Sequence, residues 1–234
     1  MRPAVTPIAF AHRGARAQHP DNTLPGFRHA LEHGASGLET DSWLSGDGQV
    51  VLVHDGTLRS GVLGRKLSVP DTDAARLAEL GVPSLADLYG AVGCDYELSV
   101  DLNDPAVDDP IVEMARRSGD PARTWLCVPS MERLRAIRET ASDVRLVHST
   151  RRARLPDSLE RHAADLADAG IDAMNLHHSE WTAGIVALFH RFDIRAFAWD
   201  AQEVRHLRAL MKMGIDAVYS DHVDRMVEVV NSAP

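Results

Sequence analysis

Cysteine is scarce in this 234-residue chain: Cys94 and Cys127 are the only two, with no CxxC pair and no metal-ligand spacing. That excludes a disulfide framework and a cysteine-built zinc site, and both thiols are expected to be buried in a reducing compartment. Positive charge is also short. Lysine and arginine total 25 against 34 acids, giving a formal charge of −9, which argues against a nucleic-acid partner and against charge-driven binding to an anionic membrane. No stretch has the apolar length of a membrane span. The segment Met1–Pro7 has one positive side chain and no apolar run, so no signal peptide is expected and the chain reads as a soluble cytoplasmic protein. Tandem repeats and low-complexity tracts are missing too. Monomer and homo-oligomer both remain open.

What is present is an ordinary globular balance, with 44% hydrophobic and 25% charged residues. The length suits one α/β barrel of slightly below typical size and leaves little room for a second domain, so residues 1–234 are taken as one domain. Strand-like runs at Val5–Ala11, Gly37–Leu44, Tyr96–Asn103, Thr124–Val128, Val144–Val147, Ile171–Leu176, Ile194–Trp199 and Ile215–Tyr219 are separated by helix-like stretches. Examples are Leu24, Phe27, Ala30 and Leu31 before a stop at Gly34, and Val204, Leu207, Leu210 and Met211. About eight strands alternating with helices predict a parallel (β/α)8 barrel. Ser45-Gly46-Asp47-Gly48 joins Gly37–Leu44 to a returning run at Gln49–Val53, which predicts a hairpin whose second strand is antiparallel and stands at the barrel mouth. A short insertion over about residues 56–82 follows; Leu58–Leu80 within it is polar and reads as irregular, with one short helix.

Polar clusters close the first strands: His12-Arg13-Gly14, then Glu39-Thr40-Asp41, then His54-Asp55. Barrels keep their active sites at these strand ends. Residues two apart in a strand share a face, so Glu39 and Asp41 point the same way and repel unless a cation lies between them; Mg2+ or Ca2+ fits an all-oxygen set. Neither His12 nor His54 has the HxH or HExxH spacing of a zinc site, so both read as free imidazoles, one able to take a proton and the other to give one. A metal, an arginine and two histidines describe phosphoryl chemistry, with Arg13 and the ion on the non-bridging oxygens.

His12-Arg13-Gly14, Pro20-Asp21-Asn22-Thr23, Glu39-Thr40-Asp41, Asp47-Gly48 and His54-Asp55, in this order and spacing, resemble the HRG, PENT, ExD, DG and HD pattern of the glycerophosphodiester phosphodiesterase family. The resemblance implies a TIM barrel that hydrolyses glycerophosphodiesters to glycerol 3-phosphate and an alcohol. It implies one divalent cation on Glu39, Asp41 and a third carboxylate, with His12 and His54 as general acid and base in an order left open. It also implies first attack by the substrate's own neighbouring hydroxyl. The third carboxylate falls at Asp101, where the family has Glu in an E-x-K pattern, and Asn103 stands in the place of the family's phosphate-facing Lys. Trp199 matches a pocket-lining tryptophan, Ser220-Asp221 a strand-eight Thr-Asp expected to be structural, and the insertion a cover that helps choose the alcohol. Strand-exit His148, His177 and His178 have no counterpart and are taken as structural or pocket-edge residues. Two alternatives stand beside this one: a lysophospholipase D or sphingomyelinase D-like phosphodiesterase, and a ligand-binding barrel with little turnover, motivated by Asn103.

Overall fold

The computed structural model describes residues 6–60, 64–156 and 158–232. Eight parallel strands close a barrel: β1 (Ile8–Ala11), β2 (Gly37–Leu44), β6 (Glu97–Leu102), β7 (Thr124–Val128), β8 (Arg145–Ser149), β9 (Ala173–His177), β10 (Arg195–Trp199) and β11 (Ala217–Ser220). β11 pairs back onto β1 in the register Ala11 to Ser220, which completes the ring. Helices α1 (Leu24–Glu32), α3 (Leu85–Val92), α4 (Asp108–Ser118), α5 (Met131–Thr140), α6 (Leu159–Asp168), α7 (Ala183–Arg191), α8 (Val204–Met213) and α9 (Val223–Asn231) cover its outside. Among the described residues, no helix is long and apolar enough to cross a membrane.

The period-two alternation of the strands separates two apolar layers. Phe10, Trp125, Cys127, Val147, Phe197 and Tyr219 fill the barrel interior, with the Phe10 and Tyr219 rings stacked at 4.8 Å. The alternate strand residues Leu98, Val100, Leu126, Leu146, Met174 and Val218 face outward and pack with Phe27, Leu88, Ile111, Leu134 and Phe189 from the helices. Each such fully buried side chain contributes about 1.5–3 kcal/mol relative to an exposed one. β1 and β2 approach closely at Gly37, where an added Cβ would lie 2.6 Å from the Phe10 ring and 2.9 Å from the Glu97 carbonyl oxygen. Only glycine fits there.

Several strands begin one or two residues later than the apolar runs suggest. Asp172 and Asp216 occupy the positions before β9 and β11, and their carboxylates accept the backbone N–H groups of Leu146 (2.9 Å) and Ala196 (2.7 Å). These acids cap the barrel floor before the ladder starts. Val5, the proposed first residue of the first strand, and most of Met1–Pro7 lie outside the described residues. Cys127 is buried as expected, whereas Cys94 is partly exposed; both are free thiols.

The hairpin is present, with β3 (Val50–Leu52) antiparallel to β2 through Ser42–Leu52, Trp43–Val51 and Leu44–Val50. The following insertion is more ordered than its polarity suggests. It forms a β-ribbon, β4 (Thr57–Ser60) with β5 (Arg65–Ser68), and then α2 (Ala74–Glu79). Leu58 and Leu67 face each other across the ribbon and pack with Trp43, Val53, Val69 and Leu77 into a small core. Two strands of four residues give too little hydrophobic pattern to read against their charged neighbours; residues 61–63 lie outside the described set.

Candidate active site

β2 and β6 run in register, with Asp41 beside Asp101. Glu39 and Asp41 are buried, Asp101 is half-buried, and oxygens from all three lie within 4.8 Å of one another. Burial first, and then repulsion from Asp41 and Asp101, holds the Glu39 carboxyl well above the usual range. Burial, followed by the charge of Asp41, pushes Asp101 up to about 7. Three convergent carboxylates in such a place hold protons or share a cation. The donor set is all oxygen, which fits a hard divalent ion. Beneath them Ser99 Oγ lies 3.0 Å from Tyr219 Oη and 3.3 Å from Cys127 Sγ, a polar rung across the barrel interior. Burial and then Asp101 push the Cys127 thiol up, so it stays neutral.

The chain leaves β1 through two left-handed residues, Arg13 (φ 51°) and Gly14 (φ 82°). This turn aims the Arg13 backbone N–H at Glu39 Oε2, 2.8 Å away. The guanidinium donates to Asp21 (2.9 Å), and its Nε lies 3.0 Å from Asp41, close but not aligned for a hydrogen bond. Pro20–Thr23 supplies the scaffold. Asn22, left-handed and buried, donates to Asp41 (3.1 Å) and accepts from Thr40 (2.9 Å), while Thr23 caps α1. The acid pair is thus fixed from both flanks.

His12 stands where β1 meets β11. Its Nδ1 lies 2.6 Å from Asp221 Oδ1 and its Nε2 lies 3.8 Å from Glu39 Oε2. An ionised carboxylate can only accept, so the proton of the neutral ring belongs on Nδ1 and the Nε2 lone pair faces the site. Burial works to raise the Asp221 carboxyl, but the bond to His12 and the charges of His12 and Arg16 hold it below the usual range. Gln202 Oε1 accepts the Asp221 backbone N–H at 2.9 Å and the Ser220 hydroxyl at 3.1 Å, which fixes the carboxylate's position. Asp221 thus orients a histidine of the site, a role the sequence did not disclose beyond the acid's position at a strand exit.

These groups open into a cavity of about 450 Å³, within the usual range for a small-molecule site. His12, Arg13, Arg16, Glu39 and Asp101 line one wall; Arg151, Arg154, Trp199 and Asp200 belong to the other. Arg151 stacks over Trp199 at 4.7 Å and lies 3.6 Å from Glu180. Arg154 makes no ion pair among the described residues. Sequence reasoning missed both arginines, whose only signal was the run Arg151-Arg152-Ala153-Arg154 after a strand.

His54 and Asn103 are placed together at the rim and are not among the residues lining that cavity. The His54 ring pairs with Asp55 at 2.8 Å and is half exposed, and the His54 carbonyl accepts from Trp43 Nε1 (3.1 Å) and Asn103 Nδ2 (3.4 Å). Among the described residues, none of the insertion from 56–82 lines the cavity either. His148 is structural as expected. It is buried against His162 (3.0 Å) and the Pro129 carbonyl (3.1 Å), and burial followed by His162 lowers its pKa to about 4.

Residues 12–225 match the sequence profile of the Glycerophosphoryl diester phosphodiesterase family. A probable glycerophosphodiester phosphodiesterase 2 of Mycobacterium tuberculosis is 28% identical over 240 residues, covering 95% of this chain and 90% of its own length. Among solved structures, a glycerophosphodiester phosphodiesterase from Thermotoga maritima superimposes with a TM-score of 0.83 at 22% identity, covering 95% of this chain and 98% of that one. A phosphodiesterase from Oleispira antarctica, solved with its product sn-glycerol-3-phosphate, gives a TM-score of 0.82 at 20% identity over 97% of this chain and 98% of that one.

Proposed function

This chain belongs to the glycerophosphoryl diester phosphodiesterase family, and from that premise we propose that it hydrolyses glycerophosphodiesters to glycerol 3-phosphate and an alcohol. The observation that carries the proposal is His12, held by Asp221 at 2.6 Å with its second nitrogen turned toward Glu39 and the cavity. A barrel that only binds its ligand has no use for an oriented imidazole.

Glu39, Asp41 and Asp101 would hold one divalent cation, Mg2+ or Ca2+, which when bound supplies positive charge for the diester's non-bridging oxygens. Arg13 lines the same wall and contributes a fixed guanidinium to the phosphate. His12 Nε2 takes the proton of the substrate's own neighbouring hydroxyl as that oxygen attacks phosphorus and the alcohol leaves, Asp221 stabilises the imidazolium that forms, and water then opens the resulting cyclic phosphate to glycerol 3-phosphate as the proton returns to the ring oxygen. His54, on the rim, returns a proton to the leaving alcohol. Trp199 supplies a flat apolar wall, and Arg151 and Arg154 supply the positive charge that Asn103 no longer brings. A lysophospholipid substrate is less well supported, because Leu58 and Leu67 of the insertion pack inward against Trp43 and Val53 rather than offering an apolar mouth.

The test is hydrolysis of glycerophosphocholine and glycerophosphoethanolamine with Mg2+, Ca2+ or a chelator, run beside His12→Ala. Release of glycerol 3-phosphate that needs the ion and falls at least about a thousandfold in the variant is expected. Folded protein that releases none with either ion would overturn the proposal.

A further inference from the structure

A second group of metal-capable side chains lies on the opposite side of the barrel mouth. His177 ends β9, His178 follows it, and Asp200 leaves β10; one ligand atom from each lies within 4.8 Å of the others. In barrel order β9 and β10 face β2 and β6, which carry the three carboxylates. His177 Nε2 is already 3.2 Å from Asp200 Oδ2, while its Nδ1 lies 2.7 Å from Ser179 Oγ. The Ser179 backbone N–H donates to Nδ1 at 3.3 Å, so Nδ1 accepts and the ring's proton lies on Nε2 toward Asp200; a cation at the site would take the place of that proton. Asp200 keeps its position through a left-handed backbone (φ 61°) and a bond from Gln202 Nε2 (3.2 Å). The His178 ring makes no hydrogen bond among the described residues; it stacks on His206 of α8 at 4.3 Å.

We propose that His177, His178 and Asp200 form a second cation site, built for an imidazole-seeking ion of the Zn2+ class, across the barrel mouth from the carboxylate cluster. Two imidazoles and one carboxylate, completed by water, make a nitrogen-rich set unlike the all-oxygen Mg2+ or Ca2+ set of Glu39, Asp41 and Asp101. Asp200 also lines the cavity. An ion there stands beside the substrate's path, where it adds positive charge to the wall that already carries Arg151.

Equilibrium dialysis against micromolar Zn2+ in excess Mg2+ tests this on the whole protein, with thermal melting to verify each variant's fold. The wild type is expected to retain one more Zn2+ per chain than His178→Gln or Asp200→Asn, or to hold it at least tenfold more tightly. Glu39→Gln should keep that extra ion. Co2+ should give an intense visible band in wild type and in Glu39→Gln, and a much weaker one in His178→Gln. Equal Zn2+ content in the wild type and both rim variants would overturn the site. So would loss of the extra ion in Glu39→Gln with its retention in His178→Gln. None of these readouts depends on turnover, so failure here leaves the hydrolytic proposal untouched.

Discussion

The two walls of the cavity are built to different standards. On the β1, β2 and β6 side the polar groups are buried and cross-braced: Arg13 reaches Asp21, Asp41 and Glu39, Asn22 ties Thr40 to Asp41, and Asp221 holds His12. On the β8, β9 and β10 side, Arg151 rests on a ring face, Arg154 has no ion pair among the described residues, and His178 has only ring contacts. The braced wall is preorganised for a fixed reaction; the looser wall can adapt to the group attached to the phosphate. Preorganised donors and acceptors act on the barrier, whereas adaptable surface charges act mainly on binding.

Breaking the braced wall should cost the most. Asp221→Asn preserves shape but cannot stabilise the imidazolium, so kcat should fall about a hundredfold with KM nearly unchanged, read by glycerol 3-phosphate release. On the looser wall, Arg154→Ala should raise KM roughly tenfold while kcat stays within about threefold. Equal losses of kcat in the two variants would erase the distinction between the walls. The smallest effect sharpens the comparison through pH. Asp101 has its folded pKa raised to about 7, above an unfolded value of about 4, so between these values the folded state holds a proton that the unfolded chain releases. Without an ion, stability from this group therefore falls as pH rises through that window. A divalent ion relieves the deprotonated cluster, so its gain in Tm should be a few degrees larger near about pH 8 than near about pH 5. An equal gain at both would show that the carboxylates are not the site of the effect.

How far the sequence reached follows the same division. On the braced wall, Asp101 was legible only through the family pattern, whereas His12, Arg13, Glu39 and Asp41 were legible from spacing because strand period turns position into proximity. The barrel was legible for the same reason. Asp221 was not, since it meets His12 across 209 positions and only closure of β11 on β1 makes them neighbours. Arg151 and Arg154 follow a strand without any fixed spacing to the acids. The β4–β5 ribbon stayed hidden because its apolar residues, Leu58 and Leu67, are single leucines whose partner, Trp43, belongs to another strand. His54 presents a different lesson: its motif is present, yet its ring lies half exposed at the rim beside Asp55 rather than in the cavity.

The pairing of Ala11 with Ser220 has a consequence for the life of the molecule. The histidine leaves the ribosome 209 residues before the acid that orients it. Until the final strand docks, His12 has no partner to set its tautomer, and a nascent or truncated chain carries an unaimed imidazole above its carboxylates. Synthesis must therefore pass Asp221 before the proposed chemistry can start, and turnover reports on completion of the ring.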